Sequence, residues 1–277
     1  MKTKISLIAL AVLSVGAQAA DWSDTSVGYR YASQQSEPGV SDSVSKNILS
    51  VTHVSGDKLG TNFFTIDLLK SGSNDPAASN APSGAQEWYG FYKRSFSLTA
   101  LSGQPVTLGF AKDVSLTARV DAGAKNTAFA PAPFKVRLGA SAAMPVSAGF
   151  WDVGVELYKE KNHNGFVGTG KDVNFDNAVA LTSAWAIPAG PGTFGGFIDI
   201  VGPKGNDGFG NKTKTETLAR ATYLLDIGGP KSGLKAGVGL EYWNNKFGCD
   251  NGNPLSTNGK ANSCKATTPL LLVEYHL

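Results

Sequence analysis

Between Thr25 and Leu277 the side chains alternate in character every second residue, in twelve short runs. The gaps between runs also alternate, one long and polar, the next short and rich in Gly and Pro. A period of two belongs to strands. An even number of strands, with long and short connections in turn, restricts the chain to an all-β fold. That fold is a 12-stranded antiparallel transmembrane β-barrel with short periplasmic turns and long extracellular loops. The runs are residues 25–32, 46–54, 60–70, 86–98, 105–118, 134–144, 151–161, 175–187, 194–204, 214–227, 234–243 and 267–277. Most reach the roughly 9–11 tilted residues that one crossing needs.

The alternation is plainest in three runs. Phe134, Val136, Leu138, Ala140, Ala142 and Met144 oppose Lys135, Arg137, Gly139, Ser141 and Ala143. Trp151, Val153, Val155 and Leu157 oppose Asp152, Gly154, Glu156 and Tyr158. Leu234, Ala236, Val238, Leu240 and Tyr242 oppose Lys235, Gly237, Gly239, Glu241 and Trp243. A one-sided sheet in water alternates too, but small residues mixed with charges of both signs suit a wet lumen. The phases of 46–54 and 194–204 stay open.

The short connections are 55–59, 99–104, 145–150, 188–193 and 228–233, with turn chemistry such as Ser55-Gly56-Asp57. The long ones are 33–45, 71–85, 119–133, 162–174, 205–213 and 244–266. Both ends of the barrel domain then lie on the periplasmic side.

The first residues read as an export signal. Lys2 and Lys4 precede an apolar stretch, Ile5 to Val15, too short to span a bilayer. Ala17-Gln18-Ala19 is a small-x-small cleavage site. The expected division is a signal peptide at 1–19 and a barrel domain at 20–277. Losing Lys2 and Lys4 leaves 23 basic against 22 acidic residues, with no basic run suited to nucleic acid. The 33 glycines, 10% aromatics and 17% charged residues suit a barrel with interfacial aromatic girdles better than a helical soluble domain.

Cys249 and Cys264 are the two cysteines. An oxidising periplasm favours their pairing, and closing a loop of about 16 residues would stabilise by roughly 3 kcal/mol. Two free thiols is the alternative. Neither these cysteines nor His53, His163 and His276 have metal-ligand spacing, and no cofactor is expected.

Three motifs suggest enzymes and fail on context. Gly165 to Lys171 (GFVGTGK) matches most of a phosphate-binding loop, but Asp172 stands where the magnesium-binding hydroxyl belongs. Gly190 to Gly195 (GPGTFG) matches a dinucleotide fingerprint, yet it leads into a strand, with no helix N-terminus for a pyrophosphate. His53 and Ser55 are two apart on one strand, as in twelve-stranded outer-membrane phospholipases. Here they run into a short turn at the wrong end, so a lipase is a remote alternative.

By phase, the lumen receives Arg30, Phe63, Asp67, Tyr89, Phe91, Lys93, Lys135, Arg137, Glu156, Tyr158, Arg220, Glu241 and Trp243. Rings beside polar groups suit a flat heterocycle bearing hydroxyls, because stacking and hydrogen bonds act together. The plainer reading is that the rings fill a narrow interior. Mixed charges argue against a strongly ion-selective pore.

Several stretches resemble the nucleoside-specific channel-forming (Tsx-like) outer-membrane family, particularly its OmpK-type branch. They are Thr25–Tyr31 (TSVGYRY), Thr52–Gly56 (THVSG), Gly60–Leu69 (GTNFFTIDLL), Ser73–Ala77 (SNDPA), Gly84–Tyr89 (GAQEWY), Glu241–Gly248 (EYWNNKFG) and Val273–Leu277 (VEYHL). The order of these stretches is specific, and they are densest at the two ends of the chain. The final Tyr275-x-Leu277 also resembles the recognition signal of bacterial outer-membrane proteins. The resemblance implies a monomeric barrel among outer-membrane lipids of a bacterial cell, with a narrow channel that passes nucleosides. It also implies a surface used by phages or colicins, so a receptor with little transport is the alternative function.

Overall fold

Residues that alternate outward-apolar and inward-small or charged gain most by pairing edge to edge until no edge is left. The computed structural model, which describes residues 20–40, 42–75, 84–165, 170–229, 232–255 and 257–277, shows that outcome. The signal at 1–19 lies outside the described residues. The strands are β1 (Trp22–Gln35), β2 (Val44–Asp57), β3 (Gly60–Ser71), β4 (Gln86–Ser97), β5 (Asp113–Lys125), β6 (Phe134–Ala143) and β7 (Phe150–Asn164). They continue with β8 (Lys171–Asn174), β9 (Ala178–Ala189), β10 (Gly192–Val201), β11 (Glu216–Asp226), β12 (Leu234–Asn244) and β13 (Ala266–His276).

Twelve of these form a closed antiparallel ring among the described residues, since β6 pairs with β7, β7 with β9, and β13 with β1. The seam runs in one register from Ser26 opposite His276 to Ala32 opposite Leu270. Short β8 pairs only with Lys161–Asn164 and extends the β7 hairpin beyond the ring. Both ends of the barrel domain meet at the short-turn end, where Leu277 N donates to Thr25 O at 2.8 Å and Asp21 N to Gly56 O at 2.8 Å.

One connection departs from expectation. The strand expected at 105–118 lies at Asp113–Lys125, and the expected loop 119–133 shrinks to 126–133. The expected turn 99–104 is part of a longer connection that opens with a short helix, α1 (Leu98–Ser102). Ser97 caps this helix, accepting from Ala100 N at 3.0 Å, and Gly103 closes it at φ 68°. Pro105 and a left-handed Gly109 (φ 59°) then keep the backbone out of the wall. The strand starts at Asp113, and from there Val114, Leu116, Ala118, Val120, Ala122 and Ala124 face out while Arg119, Asp121, Gly123 and Lys125 face in.

The wall is inside-out relative to a water-soluble domain. Leu138, Leu157, Val238 and Leu271 are all exposed on the outer face, Leu157 at 68%, whereas inward Arg137 and Glu156 are each 2% exposed. An apolar belt running around a whole barrel is far larger than water-facing patches on monomers. Phe96, Trp151, Phe194 and Tyr275 lie toward its short-turn rim, and Trp88, Phe134 and Tyr242 toward its loop rim. The register also resolves the two open phases. Lys46, Ile48 and Ser50 face in on β2. On β10, Phe197, Asp199 and Val201 face in.

Candidate functional site: the barrel lumen

Small residues line the short-turn half of the lumen. Ser26, Gly28, Thr52, Ser95, Ser115, Thr117, Ser141, Gly154, Gly195, Thr222 and Gly237 all point inward there. Asp152, Lys235 and Glu274 stand among them on the same inward phase.

Near the middle of the strands the lining changes to long charged side chains. Arg30 Nη2 donates to Asp67 Oδ2 at 2.6 Å, and Ser50 Oγ donates to the other oxygen at 2.6 Å. Arg220 Nε donates to Glu241 Oε2 at 2.8 Å, and Gln35 Nε2 donates to Oε1 at 2.7 Å. Arg137 grips both oxygens of Asp199 at 2.8 Å and lies 3.8 Å from Glu156. Lys93 reaches Glu156 from the other side at 3.5 Å. Arg119 grips both oxygens of Asp121, which also accepts from Tyr89 OH, and Lys135 Nζ donates to that hydroxyl at 3.3 Å. Buried ions demand such pairing, because an unpaired charge in this interior would cost several kcal/mol.

Two aromatic platforms sit in this belt. Phe63 and Phe91 stack with centroids 5.3 Å apart and planes 18° apart, and the Arg119 guanidinium covers Phe91 at 3.7 Å. Arg220 lies over Phe197 at 5.2 Å. Water reaches this level: the Lys93, Arg220 and Asp67 side chains are 23%, 22% and 20% exposed.

At the loop end, segments from outside the wall reach inward, among them those of Lys204 and Glu37. Lys204, beyond β10, pairs with Glu160 of β7 and lies 4.0 Å from Glu216 of β11. Its ammonium stands 4.5 Å from the Phe175 ring centroid and 5.8 Å from that of Tyr158. Glu37, beyond β1, meets Lys46 at 2.7 Å, Lys246 at 3.0 Å and Lys125 at 3.2 Å. Burial pushes the Glu37 carboxyl up, but Lys246, Lys46 and Lys125 outweigh it and hold it well below the usual carboxylate range. Burial also pulls Lys246 below an ordinary lysine, with Lys46 and Lys125 adding to the effect against the pull of Glu37.

Lys246 owes its position to the disulfide loop. It opens a one-turn 3-10 helix, Lys246–Gly248, with Asn245 and Phe247 in the left-handed region at φ 50° and 61°. Lys246 N donates to Cys264 O at 2.9 Å, and Cys249 N to Lys246 O at 3.1 Å. The Cys249–Cys264 disulfide therefore fastens the turn to the start of β13.

All the inward residues expected from the sequence point into the lumen, but they form three groups. Arg30, Asp67, Arg220 and Glu241 share one side of the belt. Phe63, Tyr89, Phe91, Lys93, Lys135, Arg137 and Glu156 share the other. Trp243 stands apart from both, at the loop end, where it donates to Glu216 Oε1 at 2.8 Å, and Tyr158 links the second group to that end, with the Arg137 guanidinium 4.8 Å from its ring centroid. Sequence reasoning missed Arg119, Asp121 and Lys125, which fell in the expected loop 119–133, and also Phe197, Asp199, Glu37, Lys46, Lys204 and Lys246. The Ala-x-Val-x-Ala-x-Ala alternation from Ala118 to Ala124 was the available signal for the first three.

The His53–Ser55 pair faces outward near the short-turn end. His53 Nδ1 lies 2.8 Å from Thr25 Oγ1, while Ser55 Oγ accepts from Asn62 at 3.4 Å. Lys171 opens β8, and Gly190 at φ 60° turns the chain into β10, so a strand follows each Gly-rich stretch.

No family model matches the chain, and no curated protein matches it in sequence. Among solved structures it is similar to the translocator domain of the autotransporter NalP from Neisseria meningitidis, at a TM-score of 0.46 and 11% identity over 98% of this chain and 94% of that one. It is similar to the KdgM porin at 0.44 and 10% identity, over 90% of this chain and 98% of that one. The outer membrane protein opdK from Pseudomonas aeruginosa gives 0.27 and 11% identity, over 92% of this chain and 98% of that one.

Proposed function

We propose that the chain is a passive channel of a bacterial outer membrane for small neutral or weakly charged solutes, nucleosides first among them. The observation that carries this reading is the stack of Phe63, Phe91 and Arg119 inside a wet, charge-balanced belt. A base would lie against an outer layer of this stack, Phe63 or the Arg119 guanidinium, with Phe91 backing both, and the belt's carboxylates and hydroxyls would take the sugar. Base–aromatic stacking is worth about 1–3 kcal/mol and tolerates different bases. Guanidinium and carboxylate groups alternate around the belt, so it repels neither a neutral nor a zwitterionic solute. The small residues of the short-turn half would give such a solute room on the periplasmic side. The apolar outer belt supports the membrane location, and a ring closed by its own strands needs no second copy. No energy source is required. The test is single-channel conductance in planar bilayers with and without adenosine. A concentration-dependent block supports nucleosides, and an unchanged conductance removes them.

A second reading is favoured by the inward-reaching Glu37 and Lys204 pairs. A barrel held shut at the loop end would serve chiefly as a surface receptor, for a phage or a colicin. Deleting 250–262 would then abolish phage adsorption while leaving solute uptake unchanged.

A further inference from the structure

From beyond β1, Glu37 reaches into the mouth at the loop end and meets three lysines. Lys125 ends β5 and Lys246 follows β12. In the ring order, β5 and β12 are six strands apart in either direction, which puts them diametrically opposite. Both lysines nonetheless reach the same side chain, Lys246 at Oε1 and Lys125 at Oε2. Lys46 of β2 joins them at Oε1. The Glu37 carboxylate therefore lies inside the mouth, with both oxygens held by ammonium groups from β2, β5 and the turn after β12.

The charge count is specific. Lys46 has a second partner in Glu87 at 2.9 Å, and Lys125 has one in Asp75 at 2.7 Å. Asp75 is itself anchored by Ser71 Oγ at 2.8 Å. Without Glu37, three ammonium groups would face two carboxylates, one negative charge short. The backbone around Glu37 is held independently of its side chain. Ser36 Oγ donates to Lys265 O at 2.6 Å, and Gly39 N to Ser263 Oγ at 3.1 Å. The Glu37 carboxylate can leave by rotation about its own side-chain bonds while the backbone stays in place.

We propose that Lys46, Lys125 and Lys246 form a carboxylate-binding site in the mouth of the pore, that Glu37 is its built-in occupant, and that a small carboxylate solute exchanges with Glu37 on entering. The site extends the channel reading from neutral solutes to monocarboxylates, and it rests on that reading only for its effect on conductance. Tethering gives Glu37 a high effective concentration, so in wild type a passing carboxylate displaces it only briefly and its own side chain returns. Deleting that side chain opens the site to an added anion.

The test uses the full-length barrel with Glu37→Ala and sodium acetate as the probe, against sodium chloride and acetamide. In planar bilayers Glu37→Ala conducts severalfold more than wild type, and millimolar acetate returns it toward the wild-type level. Chloride at equal ionic strength and acetamide do not. Adding Lys125→Met to this background removes the acetate effect. Separately, acetate raises the unfolding temperature of Glu37→Ala, read by gel mobility, and leaves wild type unchanged. Should Glu37→Ala refold only in acetate, that dependence is itself the expected result. Should it refold in neither salt, the unfolding temperature of Glu37→Gln in the two salts decides by the same sign. If acetate shifts no unfolding temperature, or acts no differently from chloride, the site is overturned. If neither protein conducts, the channel reading fails while the unfolding measurement still decides the site.

Discussion

Arg137 on β6 and Asp199 on β10 are joined across the lumen by two hydrogen bonds of 2.8 Å each. Two other wall strands, β7 and β9, separate them along the ring. The pair is therefore a chord through the interior, and it narrows the channel as well as bracing it. Removing one member of such a buried pair leaves an uncompensated charge, which costs about 3–5 kcal/mol, whereas replacing both by apolar groups is often neutral. Arg137→Met is expected to lower the unfolding free energy by about that amount in urea titrations in lipid. Arg137→Met with Asp199→Leu recovers most of the loss. Both variants remove the chord and raise conductance. A single variant as stable as wild type would show that the pair braces nothing.

The Glu37 contacts give the mouth a defined pH response. An unfolded glutamate titrates near ~4.3, and Lys246, Lys46 and Lys125 hold the folded carboxyl below that despite its burial. A depressed carboxylate contributes stability that is fully present above the unfolded value and is lost as pH falls through the folded value. Glu87 and Asp75 share the same lysines and are the other acids of the cluster. The mouth should therefore keep its contacts from neutral pH through mild acid and release them only well below the ordinary carboxylate range. Single-channel recordings across that span check the sign. A barrel that opens near pH 6 would require a different group.

The wall was legible where chemistry alternates strongly. In β6, β7 and β12 the outward positions are large and apolar and the inward ones small or charged, so phase follows from the residues alone. β5 hid because alanine carries its outward face. Ala118, Ala122 and Ala124 give little hydrophobic contrast, and the charges between them resemble a solvated loop. The loop-end contacts hid for a different reason. Glu37, Lys46, Lys125 and Lys246 are distant in sequence and meet only because the ring brings β2, β5 and β12 around one axis. No local pattern records a contact across a barrel.

The disulfide has a consequence at this mouth. Cys249 and Cys264 are 15 positions apart and bonded, and the turn they fasten carries Lys246. The covalent link contributes roughly 3 kcal/mol to loop closure in the chain-entropy model, while the wall is paired independently of it. Replacing both cysteines by serine should leave the barrel folded and heat-modifiable on gels. It should also expose 250–262 to protease and raise the open probability, because Lys246 loses its fixed turn. Loss of the folded barrel itself would show that the link serves the wall rather than the mouth.

Phe91 stands at the centre of the proposed solute site, between Phe63 on one side and the Arg119 guanidinium on the other. Phe91→Ala deletes the middle layer of the stack and leaves the Arg119–Asp121 pair in place. If stacking holds the base, the loss is about 1–3 kcal/mol, so adenosine should block Phe91→Ala about tenfold more weakly, since a factor of ten corresponds to ~1.4 kcal/mol. Phe91→Tyr keeps the ring and should keep the block. Unit conductance without adenosine should rise in Phe91→Ala, since a ring has been removed from the belt. A ring that merely filled space would give the conductance change alone. The decisive comparison is therefore the adenosine block constant of the alanine and tyrosine variants measured in the same bilayers. Equal constants would take the base-stacking role away from Phe91.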